Sequence, residues 1–262
     1  KKKTREFIET NGGPILEKVD NIKLLKKKDL KSIIQKHNVI GKGGFGENTT
    51  KLIGCCLEVD VPMLVYEFVP HGSLHDVLHE NNKVSLSLDR RLSIAAGAAE
   101  GLAYMHSKTS TTILHGDIKP RNILLDHNFD AKISDFGISR HQAIDKTHKI
   151  CGLLTKQSDV YSFGVTLMEL LTRQKAAFGE NSRLVKAFLD ANAEENGAIE
   201  LFDMEILVGS ETEVLKKLAR LTVECLKPDV DERPEMIDVA ERLESMKRLH
   251  RIESGACCST NT

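Results

Sequence analysis

Residues 112–139 read TILHGDIKPRNILLDHNFDAKISDFGIS, and this stretch decides the fold. It alternates short apolar, strand-like runs with tight turns. Within it, HGDIKPRN is followed by Asp135-Phe136-Gly137. These residue types match what phosphoryl transfer requires: a base near the attacking hydroxyl, metal ligands under the phosphates, and a cation against the transferring group. Asp117 can accept the hydroxyl proton and Lys119 can neutralise the phosphate. Asn122 and Asp135 offer hard oxygens to Mg2+.

Upstream, IGKGGFGENTTKLIGCC at 40–56 holds Gly41, Gly43 and Gly46 in a G-x-G-x-x-G arrangement. Alone this pattern is weak, and three loop types compete for it. A Rossmann loop would open a helix and place an acid about 20 residues on, an offset that Glu67 roughly meets. Thr49-Thr50 and the apolar run after them favour a strand instead. The Walker type fails because no G-K-[ST] follows. A hairpin lid over ATP phosphates, with Phe45 at its tip, remains.

The five-residue step from Asp117 to Asn122, after a glycine loop and before Asp-Phe-Gly, is the spacing of a protein-kinase catalytic loop. Nearly the whole chain resembles the cytoplasmic part of a plant wall-associated-kinase-like receptor kinase. The stretches that carry the resemblance are NGGPILEKV, IGKGGFGE, KLIGCCLEVDVPMLVYEFVPHGSLHDVL, ILHGDIKPRNILLD, KISDFGISR and GLLTKQSDVYSFGV. It implies an α+β, two-lobe Ser/Thr protein kinase fold, use of ATP with Mg2+, and a transmembrane receptor context. It further implies that Tyr66 is the gatekeeper, that Glu67 and Val69 offer hinge backbone groups to adenine, and that Leu124 forms the floor under the base. His115 and Phe136 would stack in the regulatory spine, Asp159 would bond the catalytic-loop backbone, and Arg233 would pair with a glutamate ending the activation segment. Gly116 stands where an arginine is usual.

Two segments of that family pattern are missing. Only 21 residues, 47 to 67, separate Gly46 from Phe68. Four strands and a helix belong there, needing more than about 30 residues. The V-A-[IV]-K lysine and the helix bearing its glutamate partner are therefore absent, leaving a truncated N-terminal β lobe beside a mainly helical C-terminal lobe. Lys42 and Lys51 are the nearby substitutes to weigh. A second gap, again 21 residues at 138–158, lacks an A-P-E-like docking element. Arg233 should then turn to solvent or find another acid. Thr147 and Thr155 are candidate modification sites in the activation segment.

Composition bounds the remaining classes. The 262 residues carry a net charge of −1, which gives bulk nucleic-acid binding no support. Residues 1–36 are the exception, with eleven Lys or Arg against five Asp or Glu. They read either as a juxtamembrane segment following an upstream transmembrane helix or as a solvated chain end. No run of 18 apolar residues occurs. The six cysteines show no metal-ligand spacing. Cys55, Cys56 and Cys225 read as core thiols, and Cys257 and Cys258 as part of a polar tail or a lipidation point.

The expected organisation is a flexible basic lead-in at 1–36, a truncated N-lobe and hinge at 37–69, a C-lobe at 70–250 and a disordered tail at 251–262. Strands are expected in KLIGCCLEV and PMLVYEFV. Helices are expected in GSLHDVLHE, SLDRRLSIAAGAAEGLAYMHS and KQSDVYSFGVTLMELLT, and near 182–193, 211–226 and 235–250; DLKSIIQKHNVI should run from a short helix into a strand. The function expected is ATP-dependent phosphorylation of protein hydroxyls on the cytoplasmic side of the plasma membrane. The alternative is a pseudokinase acting as a protein-binding scaffold, and a third candidate, a dinucleotide enzyme, requires a helix directly after Gly46.

Overall fold

The computed structural model describes residues 2–11, 23–28, 48–80, 84–109, 112–136, 140–141, 154–176, 181–191, 197–207 and 212–258. The chain divides into two compact units, Lys1–Pro70 and His71–Thr262.

In the first unit, helix α1 (Lys2–Thr10) precedes a three-stranded sheet of β1 (Lys23–Leu24), β2 (Leu52–Cys56) and β3 (Met63–Tyr66). The VDVP turn reverses the chain, so β2 and β3 pair antiparallel, with Cys55 opposite Leu64. Cys55, Cys56 and Leu57 are buried. The basic lead-in was expected to be flexible, and here the structure differs. β1 lies parallel to β2, with Lys23 opposite Gly54. Leu25 N donates to Cys55 O at 2.8 Å, and the Asn11 side chain donates to Leu57 O and Val59 O at 3.2 and 2.9 Å. The reason lies in the shortened sheet: an unpaired strand edge exposes a row of backbone donors and acceptors, and any nearby extended segment gains by covering it.

The described stretch 48–69 contains β2 and β3 but no helix, and only residues 57–62 connect the two strands. A strand rather than a helix follows the glycine loop, which removes the dinucleotide-enzyme reading. The loop itself, with Gly41, Gly43 and Gly46, lies outside the described residues, as do Lys42, Thr147 and the DLKSIIQKHNVI segment.

The second unit is built around α2 (Leu88–Ala103) and α3 (Lys156–Thr172). The buried face of α2 carries Ala95, Ala96, Ala98, Ala99 and Gly101, small enough for α8 (Met236–Cys258) and a β-hairpin to approach closely. Ser87 caps α2 by accepting from Arg90 N, and Thr155 and Ser158 form a capping box on α3. α3 packs on α7 (Thr212–Cys225) at Gly164, where an added Cβ would lie 2.7 Å from the Cys225 Cβ. α4 (Asn181–Ala191), α5 (Gly197–Glu200) and α6 (Met204–Leu207) complete the described helical part. Leu92, Leu102, Ile123, Ile133, Phe163, Phe188 and Leu243 are among the fully buried apolar side chains, each contributing roughly 1.5–3 kcal/mol.

Two arginines, Arg91 buried and Arg173 half-buried, tie the helices together. Arg91 donates to Leu86 O and Leu170 O at 2.8 and 2.7 Å and pairs with Asp203 and Glu205. Arg173 closes α3 in a left-handed conformation (φ 54°) and donates to Leu78 O, Val77 O and Val84 O. The segment expected as an ordinary helix, GSLHDVLHE, is wound as a π-helix over Asp76–Glu80. At the other end α8 continues to Cys258, so the expected disordered tail instead begins as helix; its basic and acidic residues form i,i+3 and i,i+4 pairs such as Lys247–Glu244 and Arg248–Glu244.

Candidate active site

The TILHGDIKPRN stretch supplies a short strand, β4 (Ile113–Leu114), then a loop, then β5 (Ile123–Leu125). β5 forms an antiparallel hairpin with β6 (Ala131–Ile133), with Ile123 opposite Ile133. β4 pairs with β7 (Arg140–His141). These short ladders bracket the polar loop on both sides.

The loop is held from beneath by one carboxylate. Asp159, on the first turn of α3, is 1% exposed. Its Oδ2 accepts from His115 N at 2.8 Å, its Oδ1 accepts from Gly116 N at 2.8 Å, and His106 Nε2 lies 2.9 Å from Oδ2. Gly116 has φ 82°, a left-handed backbone that costs an L side chain about 1–2 kcal/mol and glycine almost nothing. The glycine found in place of the usual arginine therefore relieves strain at the turn that presents Asp117.

Beyond that turn three sequence-predicted residues converge. Lys119 Nζ donates to Asp117 Oδ2 at 2.5 Å. The Asn122 amide donates to Asp117 O at 2.8 Å and to Oδ2 at 3.0 Å. Asn122 is buried, whereas the Asp117 and Lys119 side chains are 34% and 40% exposed and remain open to reactants. With its nitrogen committed to Asp117, the Asn122 side-chain oxygen is left as the acceptor that a metal ion would use.

Asp135 joins this group through the backbone. Ser134 N and Oγ both donate to Asn122 O, at 2.9 and 3.1 Å, so the residue before Asp135 is locked to the residue that follows the loop. Asp135 is exposed and sits at φ 64°, a conformation that aspartate tolerates better than most residues. His115 fixes the same corner from the other side: Nε2 lies 3.0 Å from Ser134 O, and its ring tilts against Phe136 with centroids 5.4 Å apart. Burial holds the His115 imidazole below its ordinary value of 6.5, against the opposing pull of Ser134 O and the nearby carboxylates.

Of the four residues expected at the adenine, Tyr66, Glu67 and Val69 belong to the first unit and Leu124 to the second. Tyr66 ends β3 opposite Leu52. Glu67 N donates to Lys51 O at 2.9 Å while Glu67 Oε1 accepts from Lys51 N at 3.2 Å, and Val69 is buried. Leu124 lies in β5 and bridges Ser73.

Arg233 was expected to turn to solvent or find another acid. Among the described residues it meets no acid, and it donates to Lys227 O, Gln157 O and Pro228 O at 2.8, 2.9 and 3.3 Å. Its guanidinium also sits 4.8 Å from the Tyr161 ring centroid. Carbonyl dipoles and a π face satisfy the cation. No local pattern marks the supporting groups His106, Ser134 and Tyr161, because each acts on a residue beyond its own turn or strand.

The protein kinase domain model matches residues 15–243 of the chain. Putative wall-associated receptor kinase-like 16 of Arabidopsis thaliana is 43% identical over 221 residues, covering 76% of this chain and 51% of that protein. Wall-associated receptor kinases 3 and 1 of the same plant are 42% and 40% identical over 221 and 220 residues, in each case covering 76% of this chain and 30% of the relative. The chain thus spans about half, or less, of the length of these relatives.

Proposed function

The chain belongs to the protein kinase family and is wall-associated-receptor-kinase-like, and from that premise we propose that it is the kinase portion of a receptor that phosphorylates protein Ser or Thr hydroxyls from ATP. The observation that carries this reading is the Asp117–Lys119–Asn122 cluster, tied to Asp135 through Ser134. In this mechanism Asp117 Oδ orients the substrate hydroxyl and takes its proton. Lys119, 2.5 Å from that carboxylate at rest, turns its ammonium to the transferring phosphate. Asn122, through its side-chain oxygen, and Asp135, through its exposed carboxylate, fit a hard divalent cation, which we take to be Mg2+. When bound, such an ion neutralises phosphate charge and orients the leaving group. Tyr66, Glu67, Val69 and Leu124 are assigned to the adenine, and Gly41, Gly43 and Gly46 to the phosphates.

No described helix is long and apolar enough to cross a membrane. The receptor names of the relatives and the basic residues 1–36 support a membrane span upstream and a position on the cytoplasmic face of the plasma membrane.

A second reading rests on one observation: described residues 48–69 hold neither the strand lysine nor a helix to carry its glutamate. Misplaced phosphates alone cost about a hundredfold in rate. The chain would then act as a nucleotide-holding scaffold. Autophosphorylation of the purified chain, beside Asp117→Asn, separates the two. Transfer that Asp117→Asn abolishes supports the kinase. A thermal shift with ATP and Mg2+ but no transfer supports the scaffold, and neither signal rejects both.

A further inference from the structure

Immediately before the π-helix of the second unit stands an imidazole with one nitrogen unmatched. The His75 side chain is only 6% exposed, yet its Nδ1 has no hydrogen-bond partner. That nitrogen faces two carboxylates, with Glu80 Oε1 at 3.5 Å and Asp76 Oδ1 at 3.8 Å. One ligand atom from each of the three residues lies within 4.8 Å of the others. The carboxylates are accessible, with the Asp76 and Glu80 side chains 44% and 58% exposed.

Backbone winding explains how these groups meet. In an α-helix, residues 75 and 80 would stand about 140° apart around the axis. Asp76–Glu80 is π-wound, and i→i+5 bonding returns Glu80 to the side of His75. Asp76 is oriented further by Ser73 N, which donates to Oδ2 at 2.9 Å and leaves Oδ1 for other use.

The geometry points to a three-ligand site for a divalent transition-metal ion, formed by His75 Nδ1, Asp76 Oδ1 and Glu80 Oε1, with water as the fourth ligand. Donors about 2.0–2.2 Å from Zn2+ at tetrahedral angles lie about 3.3–3.6 Å apart, so only small carboxylate movements are needed. An imidazole nitrogen in the set favours Zn2+ over Mg2+ or Ca2+. Burial first, then the Arg121 and His79 charges, holds the His75 imidazole below its ordinary 6.5.

The surrounding groups define what the ion competes with. His79 Nε2 is engaged by Glu169 at 2.7 Å and is not a fourth ligand. Arg121 donates to His75 Nε2 at 3.3 Å and lies 3.6 Å from Glu80 Oε1. That donation requires the imidazole proton on Nδ1. Ion binding shifts the proton to Nε2 and turns Arg121, whose side chain is 56% exposed, out to solvent. Arg121 immediately precedes Asn122, so occupancy of this site reports to the catalytic loop.

Calorimetric titration of Zn2+ into the full chain tests the site, with Cys257→Ser and Cys258→Ser removing the terminal thiols and excess Mg2+ covering the oxygen-only ligands. One Zn2+ per chain is expected. Glu80→Gln should weaken binding at least about tenfold, because even outer-shell losses cost about 10–100-fold. His75→Gln should do the same. Arg121→Gln removes the competing cation and should tighten binding about three- to fivefold. Circular-dichroism melts without metal identify any variant that fails to fold; Glu80 is exposed enough that Glu80→Gln is expected to fold as the parent does. Absence of binding by the parent, or unchanged Zn2+ affinity in folded Glu80→Gln, overturns the proposal.

Discussion

Replacing Asp159 by asparagine exchanges one carboxylate oxygen for an NH2 group and should unhinge the loop that presents Asp117. The carboxylate accepts two backbone N–H groups, from His115 and Gly116, and also meets His106 Nε2, all at 2.8–2.9 Å with almost no solvent access. Asparagine has a single acceptor oxygen. If it takes the Oδ2 position, Gly116 N–H faces an NH2 group; if it takes the Oδ1 position, His115 N–H does. Either orientation strands one buried backbone donor, which costs about 1–3 kcal/mol. Asp159→Ala strands both donors together with the histidine and should cost about 3–5 kcal/mol, the range for breaking a buried polar cluster. The chain has no tryptophan, so urea unfolding is best followed by far-UV circular dichroism. With a slope of about 2 kcal/mol per molar urea, the asparagine variant should unfold about 0.5–1.5 M earlier than the parent. A shift under about 0.25 M, or equal shifts for Asn and Ala, would refute the idea that these two N–H groups are held by Asp159 alone.

Arg233→Lys keeps the charge but loses the fork that reaches three carbonyls and the contact with Tyr161; a loss of about 1–3 kcal/mol in the same unfolding assay is expected, and an unchanged midpoint would contradict the anchoring seen here. Gly164→Ala drives a methyl group to 2.7 Å from the Cys225 Cβ between α3 and α7, and should cost about 1–3 kcal/mol, read as a lowered melting temperature. Stability should also fall in acid in two stages. His115 is buried with its value below 6.5, so its contribution is complete above pH 6.5 and is lost as the pH falls towards the folded value, because the unfolded chain binds the proton first. Hydrogen bonds from Arg242 hold Glu224 below its ordinary 4.5, and those from Arg251 hold Asp89 below 3.8. Their contributions are present above those values and lost as the pH falls through the lower folded ones. Calorimetric melts across this range should show a decline starting near pH 6.5 and steepening below 4.5; a melting temperature that rises on acidification from 6.5 would contradict the assignment.

Several elements were legible in the chain itself. The apolar, helical character of KQSDVYSFGVTLMELLT predicts α3, and the small residues of SIAAGAAEGLA predict the close-packed face of α2. The strand-like runs KLIGCCLEV and PMLVYEFV, separated by a turn around Asp60 and Pro62, predict β2 and β3. Others were not legible. The lead-in reads as polar and basic, yet it supplies a strand because the shortened sheet leaves an edge to cover. The GSLHDVLHE segment reads as an ordinary helix, and its π winding is accompanied by Arg173 reaching Val77 O and Leu78 O from α3.

Residue type and spacing over a few adjacent turns were enough to propose a base, a cation and metal-binding oxygens at residues 117, 119, 122 and 135. Tertiary structure alone decided what holds the loop that presents Asp117 and what anchors Arg233. Asp159 grips His115 and Gly116 from more than 40 residues away, and Arg233 settles on Gln157 O and the Tyr161 ring. The physical reason is that backbone spacing fixes neighbours within a turn or two, whereas a buried donor or charge must be satisfied by whatever packing brings near it, and packing is a property of the whole core.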